Sequence, residues 1–192
     1  MFLRPRAEAL IACDFLAVDL LDDTKASVTA VIEHATRRSH ILGATTHLTH
    51  ESATQQARNL PLDLDESADR IKFLIRDRDI LHPPKFEHLL SDTGITTVRS
   101  TVRAPPMNAI TERWIVDCHR KLLDHTLIWN LPHLRRIPRD YETHHNTHRP
   151  HTALTSATPD QPLPPEVVDL DALRARKREP VGGAIREHHR TA

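Results

Sequence analysis

Short apolar blocks separated by turn residues fill the first hundred residues of the chain. Five blocks rich in β-branched, aromatic and small apolar residues predict strands, at residues 10–20, 27–33, 38–45, 71–76 and 95–99. A turn signal at residues 22–24 separates the first two blocks, so the first three strands can pair as an antiparallel meander.

Helical signals follow the meander. Capping residues and apolar spacing predict four helices, from an N-cap at Thr49 to about residue 60, from Pro83 and Pro84 through Leu90, from Asn108 to about residue 123, and over 131–148. Gly94 is suited to end the second helix in a left-handed conformation. Pro138 is expected to interrupt the fourth helix, at a cost of roughly 3 kcal/mol. This order of elements predicts an α/β fold in which a mixed five-stranded sheet carries helices on both faces.

The predicted third helix has two distinct sides. Its apolar residues recur every four positions and are expected to pack on the sheet: Ile110, Trp114, Cys118 and Leu122. Three polar residues, Asn108, Glu112 and His119, fall on another side of the helix, where they are free to face a ligand.

Composition divides the chain into two parts. Of 192 residues, 39% are apolar, 14 are proline and 15 are histidine, which indicates a folded part joined to segments that do not pack. We predict a core domain over residues 1–154 and a Pro-rich, basic, disordered tail over 155–192, with the basic run RARKR at 174–178. The sequence has no membrane-span or signal-peptide pattern, and Cys13 and Cys118 are expected to be reduced core thiols of a cytoplasmic protein.

Three acids suggest the chemistry. Asp14 lies inside an apolar strand, Asp77 ends another strand, and Glu112 opens a helix, with 34 residues between Asp77 and Glu112. An acid in a core strand is costly unless something positive lies beside it, and acids that meet at one point favour a divalent cation. Hard carboxylate ligands predict Mg²⁺ or Mn²⁺ and phosphoryl transfer. Taken singly, each acid is also compatible with an ordinary edge-strand, turn or first-turn role.

Other chemistries have weaker support. The four glycines, Gly43, Gly94, Gly182 and Gly183, form no phosphate loop, and no nucleophile-elbow pattern is present. A helix over residues 144–151 would bring His144, His148 and His151 to one side with spacing that could ligate zinc. Pro150 disturbs that last turn and no cysteine is nearby, so zinc is a minor alternative.

Six segments together resemble a known family. They are IACDFLAVDLL, ATRRSHILGAT, QQARNL, FLIRDRD, RAPPMNAITERW and HNTHRPHTAL. Over about residues 10–154 they resemble the integrase core of bacterial insertion-sequence transposases, which are DDE polynucleotidyl transferases related to retroviral integrases. The resemblance implies an RNase H-like fold with Asp14, Asp77 and Glu112 as the three catalytic, metal-binding acids. Asp79 stands where relatives often carry glycine and is not chosen. The HRPH segment at 148–151 matches a family motif and is expected to dock the last helix.

The resemblance also implies an activity. Water and then a 3′-hydroxyl would attack a DNA phosphodiester with Mg²⁺ or Mn²⁺ and no covalent enzyme intermediate. Implied partners are the DNA of element ends and target and other transposase protomers, with no membrane and no small-molecule cofactor, in the cytoplasm and on the nucleoid when DNA is bound. Positive charge near the site could come from five arginines, each of which taken alone is expected to be a solvated surface charge: Arg76, Arg78, Arg99, Arg103 and Arg113.

Four features depart from the family. The chain begins almost at the first catalytic strand, so the helix-turn-helix that usually reads element ends is expected to be missing. ILHPPKF follows RDRD, Pro138 falls in the last helix, and the formal net charge is zero. These features predict a truncated copy that keeps the fold and the acids but not transposition. The alternative is a non-catalytic remnant that binds a full-length transposase, or binds DNA through RARKR.

Overall fold

A computed structural model describes residues 4–47, 49–77, 84–100, 108–161, 174–179, 181–185 and 187–191. The strands are β1 (Leu10–Asp19), β2 (Lys25–Glu33), β3 (Ser39–Thr45), β4 (Phe73–Arg76), β5 (Thr96–Arg99), β6 (Arg174–Arg178) and β7 (Glu187–Thr191). The helices are α1 (His50–Leu64), α2 (Pro84–Asp92), α3 (Ala109–Lys121) and α4 (Leu131–Thr147). Short 3₁₀ turns span Arg4–Ala9, Asp65–Ser67, Leu123–His125, Thr152–Leu154 and Val181–Gly183.

The main sheet is mixed, as predicted. Its strand order is β3-β2-β1-β4-β5. Strands β1, β2 and β3 form the antiparallel meander, whereas β4 pairs parallel with both β1 and β5. The carboxyl ends of β4 and β5 therefore lie side by side, next to the middle of β1, where Cys13 pairs with Arg76.

Two apolar cores cover the two faces of the sheet. On one face, α3 and α4 pack through Trp114, Cys118 and Tyr141 against alternate residues of β1 and β2. On the other face, α1 and α2 pack through Leu60 and Phe86. The expected apolar side of α3 is confirmed, because three of its four predicted residues are buried and the fourth packs against the same core.

Two prolines do not end their helices. Helix α1 was expected to finish near residue 60, yet it continues past Pro61 because Leu60 and Leu64 are both fully buried. Helix α4 runs unbroken through Pro138, so the expected interruption is wrong. Apolar contacts on both sides of Pro138, at Leu134, Ile137 and Tyr141, hold the helix together despite the lost backbone hydrogen bond.

Helix α4 also covers the outer edge of β3. The Asn146 amide accepts hydrogen bonds from the backbone N–H of Ser39 at 2.9 Å and from its hydroxyl at 3.1 Å. The same amide donates to the Ser39 carbonyl at 2.8 Å. Two residues further along β3, the Ile41 N–H donates to Glu142 Oε1 at 3.1 Å. Side chains of α4 thus satisfy backbone groups that an edge strand normally exposes.

The described residues after 154 differ from the expected disordered tail. Strands β6 and β7 form an antiparallel hairpin. Ile185 is buried in the core beside α3 and α4, and Glu187 is buried against His144 of α4 at 3.2 Å. Because Ile185 is buried in the core, these residues are packed against the domain. The mostly polar sequence around Ile185 did not indicate this packing. The domain boundary at residue 154 stays a prediction.

Both cysteines are free and buried, as expected. Burial raises the pKa of each thiol to about 12, and at Cys13 the Asp14 carboxylate adds to the effect. Within the ranges that the structure describes, no helix is long and apolar enough to cross a membrane.

Candidate active site

Strand register places Asp14 and Asp77 side by side. Cys13 of β1 pairs with Arg76 of β4 in a parallel ladder, so the next residue of each segment, Asp14 in the middle of β1 and Asp77 just after β4, lies beside the other. Because side chains alternate along a strand, both acids are directed to the face opposite Cys13, which is the face covered by α3.

Asp14 is half-buried and held by two donors. Its Oδ1 accepts from the Phe15 backbone N–H at 2.7 Å, and its Oδ2 accepts from the Asn108 amide at 3.1 Å. Asn108 immediately precedes α3 and is buried, so this contact anchors the start of α3 over β1. The expectation that Asn108 is free to face a ligand is therefore wrong, because its amide is used to position Asp14.

Asp77 is exposed and is oriented from the neighbouring strand. The Ser100 hydroxyl, just after β5, donates to Asp77 Oδ1 at 2.8 Å. On the other side of the sheet, the buried Arg76 guanidinium donates to the Asp77 carbonyl at 3.1 Å and forms an ion pair with Glu87 of α2. Arg99 of β5 reaches the same Glu87 carboxylate at 3.0 Å. Backbone and side chain of Asp77 are thus both held in place.

Glu112 lies in the first turn of α3, where its negative charge complements the helix dipole. Its own backbone N–H donates to the Asn108 carbonyl at 3.0 Å, so the helix end that carries Glu112 is the one tied to Asp14. Burial raises the pKa of Asp14 above its usual value of 3.8, and the charges of Asp77 and Glu112 raise it further. Asp77 and Glu112 therefore each interact electrostatically with Asp14.

The donor set fits a hard divalent cation, because carboxylate oxygens are the ligands that Mg²⁺ and Mn²⁺ prefer. Among the residues that the structure describes, no three His, Cys, Asp or Glu side chains are arranged closely enough to hold a metal ion. Asp77 and Glu112 thus each repel Asp14, but the three carboxylates are not gathered into one coordination sphere. A cation that neutralises this repulsion would favour their closer approach.

Neutralising Asp14 should stabilise the fold at neutral and alkaline pH. Its folded pKa lies above the unfolded value, so the folded state binds the extra proton and stability is lost as pH rises from about 4. We expect Asp14→Asn to raise Tm at pH 8, with a smaller or no increase at pH 4. For a chain of this size, about 2–4 °C corresponds to 1 kcal/mol.

The matched control is Asp19→Asn, at the exposed end of the same strand, where the carboxylate pairs only with Lys25 at 3.2 Å among the described residues. Calorimetry of both variants at the two pH values measures the difference. A Tm for Asp14→Asn that falls at pH 8 as much as at pH 4 would contradict electrostatic strain at this position.

The histidines after residue 143 do not gather as the zinc alternative requires. His144 and His148 both face Glu187, at 3.2 and 3.6 Å, whereas the His151 ring lies against His145 with ring centroids 4.6 Å apart. His151 thus lies away from the other two, because the chain has left the helical path after Thr147.

The HRPH segment docks helices, as expected. Arg149 forms an ion pair with Asp117 of α3, and it also donates to the Tyr141 hydroxyl of α4 at 3.3 Å. One residue of the segment therefore links the two helices that cover the active-site face.

The five arginines have different outcomes. Arg76 is buried, so its interpretation as a solvated charge is wrong: it lies on the α2 face and pairs with Glu87. Arg99 and Arg113 are exposed. Arg78, Arg103 and also Asp79 lie outside the described residues, as does most of the ILHPPKF segment.

Sequence reasoning missed the side chains that position the acids. Ser100 and Glu87 carried no signal of their own, because their roles depend on the neighbours that strand pairing and α2 bring to them. The role of Asn108 could have been predicted. Its amide lies one helical turn before Glu112, at the start of a helix, where it can contact the strand beneath that helix end.

Comparisons with known proteins agree with this geometry. Residues 93–159, about a third of the chain, match the family model of the integrase core domain. A comparison with curated proteins finds no match. The catalytic core domain of BIV integrase is similar in structure, with TM-score 0.56 and 16% identity over 79% of this chain and 91% of that one.

Two further solved structures are similar. The HTLV-2 integrase catalytic core domain, solved with magnesium in a trimeric form, has TM-score 0.58 and 11% identity over 79% of this chain and 93% of its own. A simian T-cell lymphotropic virus intasome, solved with the PP2A regulatory subunit B56 gamma, has TM-score 0.64 and 12% identity over 96% of this chain and 67% of that one. The fold is therefore that of integrase catalytic cores, which is RNase H-like, as predicted.

Proposed function

We propose that this chain, which has the fold of integrase catalytic cores and matches the integrase core domain over residues 93–159, is a transposase- or integrase-type DNA strand-transfer enzyme. The observation that carries the proposal is geometric: strand register places Asp14 beside Asp77, and Asn108 ties the helix end that carries Glu112 to the Asp14 carboxylate. The raised pKa of Asp14, caused by burial and then by the charges of Asp77 and Glu112, agrees with it. Three acids from distant parts of the sequence, kept within electrostatic range of one another, cost stability, and a divalent cation would remove that cost.

In this proposal Asp14, Asp77 and Glu112 hold two Mg²⁺ or Mn²⁺ ions. When bound, the ions supply charge stabilisation for the attacking and leaving oxygens of an in-line displacement at phosphorus. The protein residues contribute position. Asn108 fixes the orientation of the Asp14 carboxylate, and Ser100 fixes that of Asp77.

Rigidity around Asp77 supports the same function. A displacement of about 1 Å at a catalytic group can cost a hundredfold in rate, so ligands need a firm backbone. Arg76 donates to the Asp77 carbonyl and is itself held by Glu87 on the opposite face of the sheet. Through Arg76, the packed helix α2 therefore restrains the backbone of Asp77, the residue that would bind the metal.

The proposed substrate is DNA, attacked first by water and then by a 3′-hydroxyl, and several protomers are proposed to assemble on it. Asp77 and Glu112 are exposed, so a phosphodiester can approach them from solvent. The net charge of zero means that phosphate affinity has to come from local arginines rather than from the whole surface.

The direct test is a nicking and strand-transfer assay with the whole chain and labelled duplex DNA. We expect cleavage that requires Mg²⁺ or Mn²⁺, is absent with Ca²⁺ or EDTA, and leaves a free 3′-hydroxyl. DNA binding or pairing with a full-length transposase, without any metal-dependent cleavage, would instead support the non-catalytic remnant.

A further inference from the structure

A pocket lies beside the acids, on the same face of the sheet. It is formed by the first turns of α3, the last turns of α4 and the segment at 149–153, and its volume is about 440 Å³. Pockets of about 300–1,000 Å³ are typical of small-molecule and cofactor sites. Ala109 and Arg113 of α3 line it, and they flank Glu112 in sequence.

The pocket is positively charged. Three arginines line it, Arg37, Arg113 and Arg149, and only Arg149 has an ion-pair partner among the described residues, namely Asp117. His151 also lines the pocket and responds to this field: burial lowers its pKa, and the charges of all three arginines lower it further. Asp117 is a lining residue too, so the pocket carries three arginines and one carboxylate, and two of the guanidinium groups have no ion-pair contact among the described residues.

Buried polar atoms border the same cavity without partners. The indole N–H of Trp114 has no acceptor within the described part of the chain, although the residue is only 2% exposed. His145, 3% exposed, donates its Nε2–H to the Arg37 carbonyl at 3.1 Å, and its Nδ1 has no described partner. Burial lowers the pKa of His145 to about 3, so this Nδ1 is a neutral acceptor. Leaving such groups unpaired costs about 1–3 kcal/mol each.

We propose that this pocket binds a phosphate group. A phosphate offers an acceptor oxygen to the Trp114 N–H and negative charge to Arg37 and Arg113, and a protonated oxygen or neighbouring hydroxyl can donate to His145 Nδ1. Trp114 is otherwise a core residue, and an apolar ligand would leave its N–H unpaired and the arginines uncompensated.

The phosphate can come from a DNA backbone or from free phosphate, since both present the same oxygens. The site uses none of the three acids, so it does not depend on metal-dependent cleavage. Bound DNA would gain a contact one residue away from Glu112, which would fix its register relative to the acids.

Tryptophan fluorescence gives a direct readout. The chain has two tryptophans, and Trp129 is 64% exposed, so Trp129→Phe leaves Trp114 as the single tryptophan, excited selectively over the one tyrosine, with little effect on the core. In this background we expect sodium phosphate to change Trp114 emission saturably, whereas sodium chloride at equal ionic strength does not.

The arginine variants test the assignment. Arg37→Gln combined with Arg113→Gln should weaken phosphate binding at least about tenfold, since charge-assisted hydrogen bonds are about twice as strong as neutral ones. Arg58→Gln is the matched control, because Arg58 is exposed on α1, on the opposite face of the sheet. Circular dichroism confirms that each variant is folded.

Three outcomes decide the proposal. Saturation by free phosphate, or by a short duplex alone, supports the pocket and identifies the source as free phosphate or the nucleic-acid backbone. Equal affinity in the double variant and in Arg58→Gln would overturn it, as would the absence of any Trp114 response to both probes. Repeating the titration without metal in Asp77→Asn separates the two proposals, because the pocket should bind phosphate even where cleavage is lost.

Discussion

Asp77→Asn should abolish metal-dependent DNA cleavage while leaving the fold intact. The substitution removes one of three anionic charges but keeps an oxygen that can accept the Ser100 hydroxyl hydrogen bond seen at 2.8 Å. A cation contributes several kcal/mol to charge stabilisation at phosphorus, and each 1.36 kcal/mol is tenfold in rate. We therefore expect a loss of at least about a thousandfold, measured as initial nicking rate with saturating Mn²⁺.

The control for this variant is Asp69→Asn, an exposed turn acid before β4. It should cleave at the wild-type rate. DNA binding, measured by anisotropy in Ca²⁺ or without metal, should be unchanged or tighter in Asp77→Asn, since a negative charge is lost. Wild-type cleavage by Asp77→Asn would remove Asp77 from the proposed site.

Asn146→Leu should cause the largest loss of stability among single substitutions of the polar residues that join α4 to β3. Leucine has the same number and branching of side-chain heavy atoms as asparagine, but it leaves the backbone N–H and C=O of the fully buried Ser39 without partners. Each unsatisfied buried group costs about 1–3 kcal/mol, so we expect a decrease of about 2–5 kcal/mol in the free energy of unfolding. Urea denaturation followed by circular dichroism measures it.

Ser39→Ala is the graded comparison. It removes only the hydroxyl bond to Asn146 at 3.1 Å, and it should cost no more than about 0.5–1.5 kcal/mol. If Asn146→Leu were as mild as Ser39→Ala, the backbone contacts between α4 and β3 would contribute little to the fold.

The parts of the fold that the sequence predicted are those specified locally. The apolar blocks of the five strands, the cap at Thr49, which accepts from the Ser52 N–H at 3.2 Å, and the left-handed Gly94 each depend on a few neighbouring residues. The three acids were identifiable for a related reason: a carboxylate among apolar strand residues, as at Asp14, conflicts with its surroundings wherever the strand is placed.

The remaining features depend on tertiary contacts. Proline is unfavourable inside an isolated helix, but packing on both sides of Pro138 outweighs that cost. Arg76, as a charged residue, was expected to be solvated at the surface. Its burial depends on the ion pair with Glu87 of α2, and the sequence does not show that α2 packs beside β4. Burial of Ile185, similarly, could not be inferred from the polar residues around it.

The side-chain bonds from α4 to the outer rim of β3 restrict how copies of this chain can associate. Open rims of sheets recruit strands from other molecules, which leads to domain swapping or fibrils. Here the rim is occupied at Ser39 and Ile41 by an intramolecular partner that a recruited strand would have to displace. Contacts between protomers should therefore avoid β3, and variants that loosen α4 should be prone to precipitate.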